Sequence, residues 1–263
     1  MTKIGFIGTG NMATALIKSI KSAGNYPIIS SDKDKGKLSR AEKELGIQTT
    51  LNNEDLVENS DIIFLCVKPK GINEVLEEIK SSIKNKIIVS IAAGIKISSI
   101  ESIIGKDKKL VRVMPNVNCI AGEMAAAYSC NKNVEKSDKK IINDLLNKSG
   151  IALEVNEQKM NAVTALSGSG PAFVAYLINS FTAAAEKQGL SKETAYKLAL
   201  QTFFGTSRLL QKTKIAPNEL IKMVSSPGGT TVKGLEIFEK SGIKKIINKT
   251  LEAAVKRSKE LGK

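Results

Sequence analysis

The sequence predicts an α/β, Rossmann-like N-terminal domain followed by an all-α C-terminal domain, and three observations carry the prediction. Short runs rich in Ile and Val alternate with amphipathic stretches through the first 115 residues. A glycine-rich turn joins the first run to the first amphipathic stretch. Beyond residue 156 the chain changes to long helical patterns with alanine-rich faces, and no strand-like run appears there. The division therefore falls at residue 156, giving domains of residues 1–156 and 157–263.

The first domain reads in order. Lys3 to Ile7, Ile28 to Ser31, Ile62 to Val67, Ile87 to Ile91 and Leu110 to Met114 are too continuously apolar to be half-exposed antiparallel strands, so they are expected as buried parallel ones. Asn11 to Ser22, Lys35 to Glu44 and Gly71 to Ser82 place apolar residues three and four apart, as helices covering a sheet do. In the second domain four helices are expected: Pro171 to Lys187, Ser191 to Lys212, Ala216 to Val224, and Thr230 to the C-terminus. Pro171 and Pro217 suit a first helical turn, and Ser191 reads as an N-cap with Glu193 in the first turn. Phe173, Tyr176, Phe181, Phe203 and Phe204 spread over more than one helical face, which leaves two readings, a core of the domain's own or a surface for a second subunit.

Composition then narrows the chemistry. The apolar stretches Ile62 to Val67 and Ala172 to Ile178 fall far short of the ~20 residues that span a bilayer, and Met1 runs straight into a strand, so neither a membrane protein nor a cleaved leader is expected. Cys66, Cys119 and Cys130 are odd in number and lack a C-x-x-C pair, which points away from a disulfide framework and towards a reducing, cytoplasmic setting. The chain has no histidine, which removes imidazole acid-base chemistry, serine-histidine nucleophiles and histidine-ligated metals together; no metal is expected. The net charge of +14 comes from scattered lysines with four arginines, so a solvated surface fits better than a nucleic-acid partner.

Gly8-Thr9-Gly10-Asn11-Met12-Ala13 is a G-x-G-x-x-A fingerprint in its expected strand-to-helix context. Gly8 permits the turn, Gly10 lets a pyrophosphate approach, Ala13 allows close helix-strand contact, and the helix start offers amide donors. The end of the second strand is ambiguous between cofactors. Asp32 would hydrogen-bond a free ribose, whereas Ser31, Lys33 and Lys35 would receive a 2′-phosphate, so NADPH is favoured and NADH stays open.

Three further segments concentrate Gly, Pro, Ser, Thr and Asn: Val111 to Asn116, Ala165 to Pro171, and Ser225 to Val232. The second and third each precede a helix, and each is expected to present backbone N–H groups to an anion. With these in view, the chain closely resembles pyrroline-5-carboxylate reductase over its full length. The resemblance rests on Ile4 to Met12, Asp61 to Pro69, Ser90 to Gly94 and the three segments above, and most specifically on Ser226 to Thr231 followed by Val232 and Leu235.

The resemblance implies that NADPH, or less efficiently NADH, delivers hydride to the C=N carbon of 1-pyrroline-5-carboxylate to give L-proline. It implies an all-α C-terminal dimerisation domain that builds a homodimer, in some members a larger ring of dimers. By matching position, Gly228, Gly229 and Thr230 would hold the substrate carboxylate, Ser226 would lie nearby, and Thr231 would be the catalytic residue facing the ring nitrogen. Asn53, Val67, Lys68, Pro69, Ala92, Ala93 and Gly94 would line the cofactor, with Met114, Pro115 and Asn116 near the nicotinamide. Val117-Asn118 departs from the Thr-Pro common there. A cyclic iminium is already electrophilic, so a chain without histidine can reduce it by positioning and one hydroxyl.

Overall fold

The computed structural model describes residues 1–262. Its strands are β1 (Ile4–Ile7), β2 (Ile28–Ser31), β3 (Gln48–Thr50), β4 (Ile62–Leu65), β5 (Ile87–Ser90), β6 (Lys109–Met114), β7 (Met124–Cys130) and β8 (Gly150–Glu154). They form one sheet in the order β3-β2-β1-β4-β5-β6-β7-β8, parallel in every pairing except β6 with β7. The five expected runs are β1, β2, β4, β5 and β6. Three strands were not anticipated: β3, β7 and β8.

Continuous burial of a strand requires both sheet faces to be covered. Ile4 and Phe6 of β1 pack on one face with Leu16, Ile17 and Ile20 of α1 (Asn11–Ser22) and Ala41 of α2 (Lys35–Leu45). Ile7 points the other way, into a cluster with Leu56 of α3 (Asn53–Glu58), Leu76 of α4 (Ile72–Ile79) and Ile100 of α5 (Ile97–Ile104). Phe6 and Phe64 stack across the β1–β4 pair with ring centroids 4.8 Å apart. The strand order reverses beside β1, and the carboxyl end of such a switch point is where open α/β sheets bind ligands.

Behind the sheet, α6 (Lys136–Asn147) leads into β8, and a short turn leads into α7 (Met160–Val163). Arg112 on β6 is buried and pairs with Glu157 Oε1 at 3.0 Å, and the same oxygen accepts the Ile97 N–H at 2.8 Å at the start of α5.

The chain packs as two compact units, Met1–Ser169 together with the residues from Ala254 on, and Gly170–Ala253. The division at residue 156 marks the end of the sheet. Residues 157–169 stay with the first unit because Met160 and Ala165 are buried in it. Ser258 near the C-terminus donates to Asn161 Oδ1 at 2.9 Å, within that same unit.

The second unit is made of α8 (Gly170–Lys187), α9 (Lys192–Thr213), α10 (Pro217–Met223), α11 (Thr230–Lys240) and most of α12 (Ile243–Leu261). Ser191 caps α9 by accepting the Thr194 N–H, and Pro217 opens α10, both as expected. The single helix expected from Thr230 onward is instead two. Gly242, at φ +65°, adopts the left-handed conformation that ends α11.

Candidate functional site

The turn after β1 sits at the switch point. Gly8 has φ +96°, and a Cβ there would lie 3.0 Å from the Cys66 carbonyl, so the turn needs a glycine twice over. Gly10 is the N-cap of α1 and makes no side-chain cap, and a Cβ on it would meet nothing within 4 Å. The first amides of α1, at Asn11, Met12 and Ala13, therefore open towards space beside Gly10, as a pyrophosphate site requires. Ala13 is fully buried against the sheet. A cavity of about 450 Å³ borders Gly10 and Asn11 and is flanked by Lys18, Lys37 and Arg40.

The ribose end differs from the expectation in its details. Asp32 does not present a bare carboxylate: Oδ2 accepts the Thr9 N–H at 2.9 Å and Oδ1 accepts the Asp34 N–H at 2.9 Å. Burial alone would raise its pKa, but those two amides and the nearby Lys37 ammonium outweigh it and hold the carboxyl below its ordinary value. Ser31 is buried and donates to Asn53 Oδ1 at 2.6 Å, while Asn53 Nδ2 donates to Glu78 at 2.9 Å. Lys33 is exposed and pairs with Glu74 at 2.6 Å. Lys37, which sequence reasoning passed over, stands 3.4 Å from Asp32 and lines the cavity. Its signal was available, since it lies in the first turn of the helix that follows the second strand.

Val67 is half-buried, and Lys68 and Pro69 are exposed at the short turn that follows β4. Ala92 belongs to the core and Ala93 is exposed. Gly94 is buried under the chain end, where a Cβ would meet the Leu261 carbonyl at 3.0 Å. Met114 is half-buried, and Pro115 and Asn116 are buried.

The Ala165 to Pro171 segment is not a loop before a helix. Thr164–Gly168 is a π-helical turn running on from α7, with the Ser169 N–H donating to the Thr164 carbonyl at 2.9 Å. The concentration of Gly, Ser and Pro suggested a segment presenting free amides ahead of a helix, whereas Pro171 keeps the expected place in the first turn of α8.

In the second unit Ser225 to Gly229 form the turn before α11. Gly228 has φ +70°, and Gly229 is the N-cap without a side-chain bond. The Gly229 N–H donates to the Ser226 carbonyl at 2.9 Å, so this amide closes the turn instead of pointing outward. Ser226 Oγ packs over Gly229, where a Cβ would be 2.5 Å from it. Thr230 and Thr231 form the first turn of α11, whose leading amides have no acceptor within the helix. Ser225 Oγ is buried and, among the described residues, has no hydrogen-bond partner.

Residues 157–261 match the family model for pyrroline-5-carboxylate reductase dimerisation, and residues 3–94 match that for NADP oxidoreductase, coenzyme F420-dependent. The chain is 39% identical over 260 residues to the pyrroline-5-carboxylate reductase of Aquifex aeolicus, covering 98% of this chain and 97% of that one. It superposes on the structure of a pyrroline-5-carboxylate reductase from Coxiella burnetii with a TM-score of 0.96 at 34% identity, covering 100% and 99% of the two chains. It also superposes on Plasmodium falciparum pyrroline carboxylate reductase with NADP bound, with a TM-score of 0.88 at 36% identity, covering 100% and 98%.

Proposed function

The chain belongs to the pyrroline-5-carboxylate reductase family, and on that premise we propose which of its residues reduce 1-pyrroline-5-carboxylate to L-proline with NAD(P)H. When bound, the reduced nicotinamide supplies the hydride. The residues present fit such a cofactor, because the amides of Asn11 to Ala13 face open space at Gly10. Gly8, Gly10, Asn11, Met12 and Ala13 hold the pyrophosphate side. Ser31, Lys33 and Asn53 serve the adenosine side, and Val67 to Pro69, Ala92 to Gly94, Met114 and Pro115 serve the nicotinamide side, with Asn116 buried beside them at that end.

NADPH is the favoured donor. Both Asp32 oxygens are engaged by main-chain amides, which weakens the carboxylate as a ribose ligand. Lys33 is held only by a solvent-exposed pair with Glu74, which water screens, so it can turn to a phosphate at little cost.

The observation that carries the reading is the start of α11. Gly228 and Thr230 offer amides to the substrate carboxylate, Gly229 shapes the turn, and Ser226 packs beside it. The Thr231 hydroxyl faces the ring nitrogen as a hydrogen-bonding group. The C=N carbon gains the hydride, the π pair of that bond passes to nitrogen, and the protonated iminium becomes the secondary amine of L-proline. A positively charged electrophile needs no strong acid, in keeping with a chain that lacks histidine.

The match of residues 157–261 to a dimerisation model and the exposed apolar side chains of α8 and α9 support a homodimer. The three cysteines are free thiols, which fits a cytoplasmic setting. No helix among the described residues is long and apolar enough to cross a membrane.

The test is NADPH oxidation followed by absorbance with 1-pyrroline-5-carboxylate, repeated with NADH and without substrate. Substrate-dependent oxidation yielding proline, faster with NADPH, is expected. No oxidation by folded protein would overturn the reading.

A further inference from the structure

Pro171 carries no N–H, so the carbonyl four residues before it, that of Ser167, lacks the donor that a continuing helix would give it. The structure supplies one from elsewhere. Asn116 Nδ2 donates to the Ser167 carbonyl at 3.1 Å, and Asn116 Oδ1 accepts the Ala125 N–H at 3.2 Å on β7. Both partners are main-chain groups of fixed polarity, so the amide has one orientation only. Asn116 is 4% exposed, which leaves its side chain little freedom to reach a ligand.

A second contact holds the same turn. A Cβ on Gly168 would lie 2.6 Å from Met114 Cε, so the Met114 side chain lies directly against the Gly168 backbone. Met114 and Asn116 thus grip consecutive residues of the Thr164–Gly168 π turn, one by packing and one by a hydrogen bond. Buried main-chain carbonyls left without a donor are costly, and π turns in helices gather at functional sites.

We propose that Asn116 is a positioning residue: its amide replaces the N–H missing at Pro171, holds the π turn, and through it sets the place of Met114 beside the nicotinamide. The proposal rests on the functional reading above, which puts Met114 to Asn116 at that end of the cofactor. Asn116 thereby acts on the geometry of hydride transfer without touching the cofactor.

The experiment compares Asn116→Ala, Pro171→Ala and the double variant for kcat and KM, for NADPH affinity by fluorescence titration without substrate, and for melting temperature. Asn116→Ala is expected to lower kcat about ten- to hundredfold, the scale of a displacement of about 1 Å, with NADPH Kd within about twofold of wild type. Pro171→Ala gives residue 171 an N–H for the Ser167 carbonyl, so the double variant recovers a large part of the lost kcat and melts higher than Asn116→Ala. If Asn116→Ala does not fold, recovery of folding in the double variant supports the hydrogen bond, and Asn116→Ser carries the comparison of kcat with Kd. An NADPH Kd raised more than about tenfold, with no recovery from Pro171→Ala, would mean direct cofactor contact and overturn the proposal. The coupling of residues 116 and 171 in melting is independent of turnover, so a wild-type chain inactive on 1-pyrroline-5-carboxylate would sink the functional reading and leave the hydrogen bond testable by that coupling.

Discussion

In the sheet-centred unit Phe6 and Phe64 stack with no exposure, whereas in the helical unit Tyr176 is 73% exposed and Phe204 is 56% exposed. The first unit buries its aromatic pair between the sheet and the helices on one face, and a second cluster fills the other face. The helical unit buries its aromatics only in part. Phe181 meets Phe203 at 5.5 Å and Phe238 at 6.5 Å, edge to face, but Phe181 is 46% exposed and Phe238 39% exposed, so this cluster is only partly closed. Tyr176, Leu198, Phe204 and Ile237 stay on the surface, and covering their remaining apolar area would be stabilising. The core clusters lie in the first unit, and the second, which matches a dimerisation model, keeps apolar surface exposed.

That contrast breaks most visibly at one residue in each unit. Phe64→Ala removes half of the buried stack and is expected to cost about 3–5 kcal/mol in urea unfolding. Phe204→Glu removes no comparable internal packing and is expected to turn a dimer into monomers in sedimentation velocity. Dimers in the Phe204→Glu variant would take this side chain out of the interface.

The helical unit also carries the loop proposed to hold the substrate, so chemistry and stability should separate there. Thr231→Ala is expected to lower kcat about a hundredfold, or ~2.7 kcal/mol, with NADPH affinity and melting temperature nearly unchanged. Wild-type kcat in that variant would remove Thr231 from the reaction. The reverse separation is expected at Arg112→Ala, which opens the pair with Glu157 beneath the sheet edge. Breaking a fully buried pair costs about 3–5 kcal/mol, and Glu157 is partly exposed and keeps the Ile97 amide, so about 2 kcal/mol is expected here. A thermal melt unchanged by Arg112→Ala would show that the pair adds nothing.

How far these features could be read from the sequence follows from their local physics. The strands β1, β2, β4, β5 and β6 announced themselves as Ile and Val runs because parallel strands are buried on both faces. Met124–Cys130 did not, since Met-Ala-Ala-Ala-Tyr-Ser-Cys has weak strand propensity and becomes β7 by pairing between β6 and β8. Gln48–Thr50 is a three-residue edge, too short to show a period. The turns at Gly8 and Gly228 were legible because both glycines take a positive φ that other residues rarely adopt. The attachment of Asn116 to Ser167 spans 51 residues, and the part of it written locally is the missing N–H of Pro171. Asp32 was legible as a residue of the ribose end but not as the acceptor for the Thr9 amide, which depends on how the first two strands align.

The smallest expected effect tests whether Asp32 belongs to the architecture of the glycine turn or to cofactor choice. Its folded pKa is depressed below the ordinary 3.8, where burial acting alone would have raised it, because the Asp34 and Thr9 amides and Lys37 favour the carboxylate. A depressed carboxyl contributes stability that is present in full above the unfolded value and is lost as pH falls through the folded one. Asp32→Asn keeps the shape but not the charge, so it should cost less than about 1 kcal/mol at neutral pH, given the solvent around the site. The gap between variant and wild type should hold steady from pH 7 down to about 5 and close below about 4, as wild-type Asp32 takes up its proton. A gap that does not narrow at all as pH falls below about 4 would mean that the two amides bind the side-chain shape and not its charge, and the glycine turn would then owe its order to Gly8 and the Thr9–Ser30 hydroxyl contact at 2.7 Å.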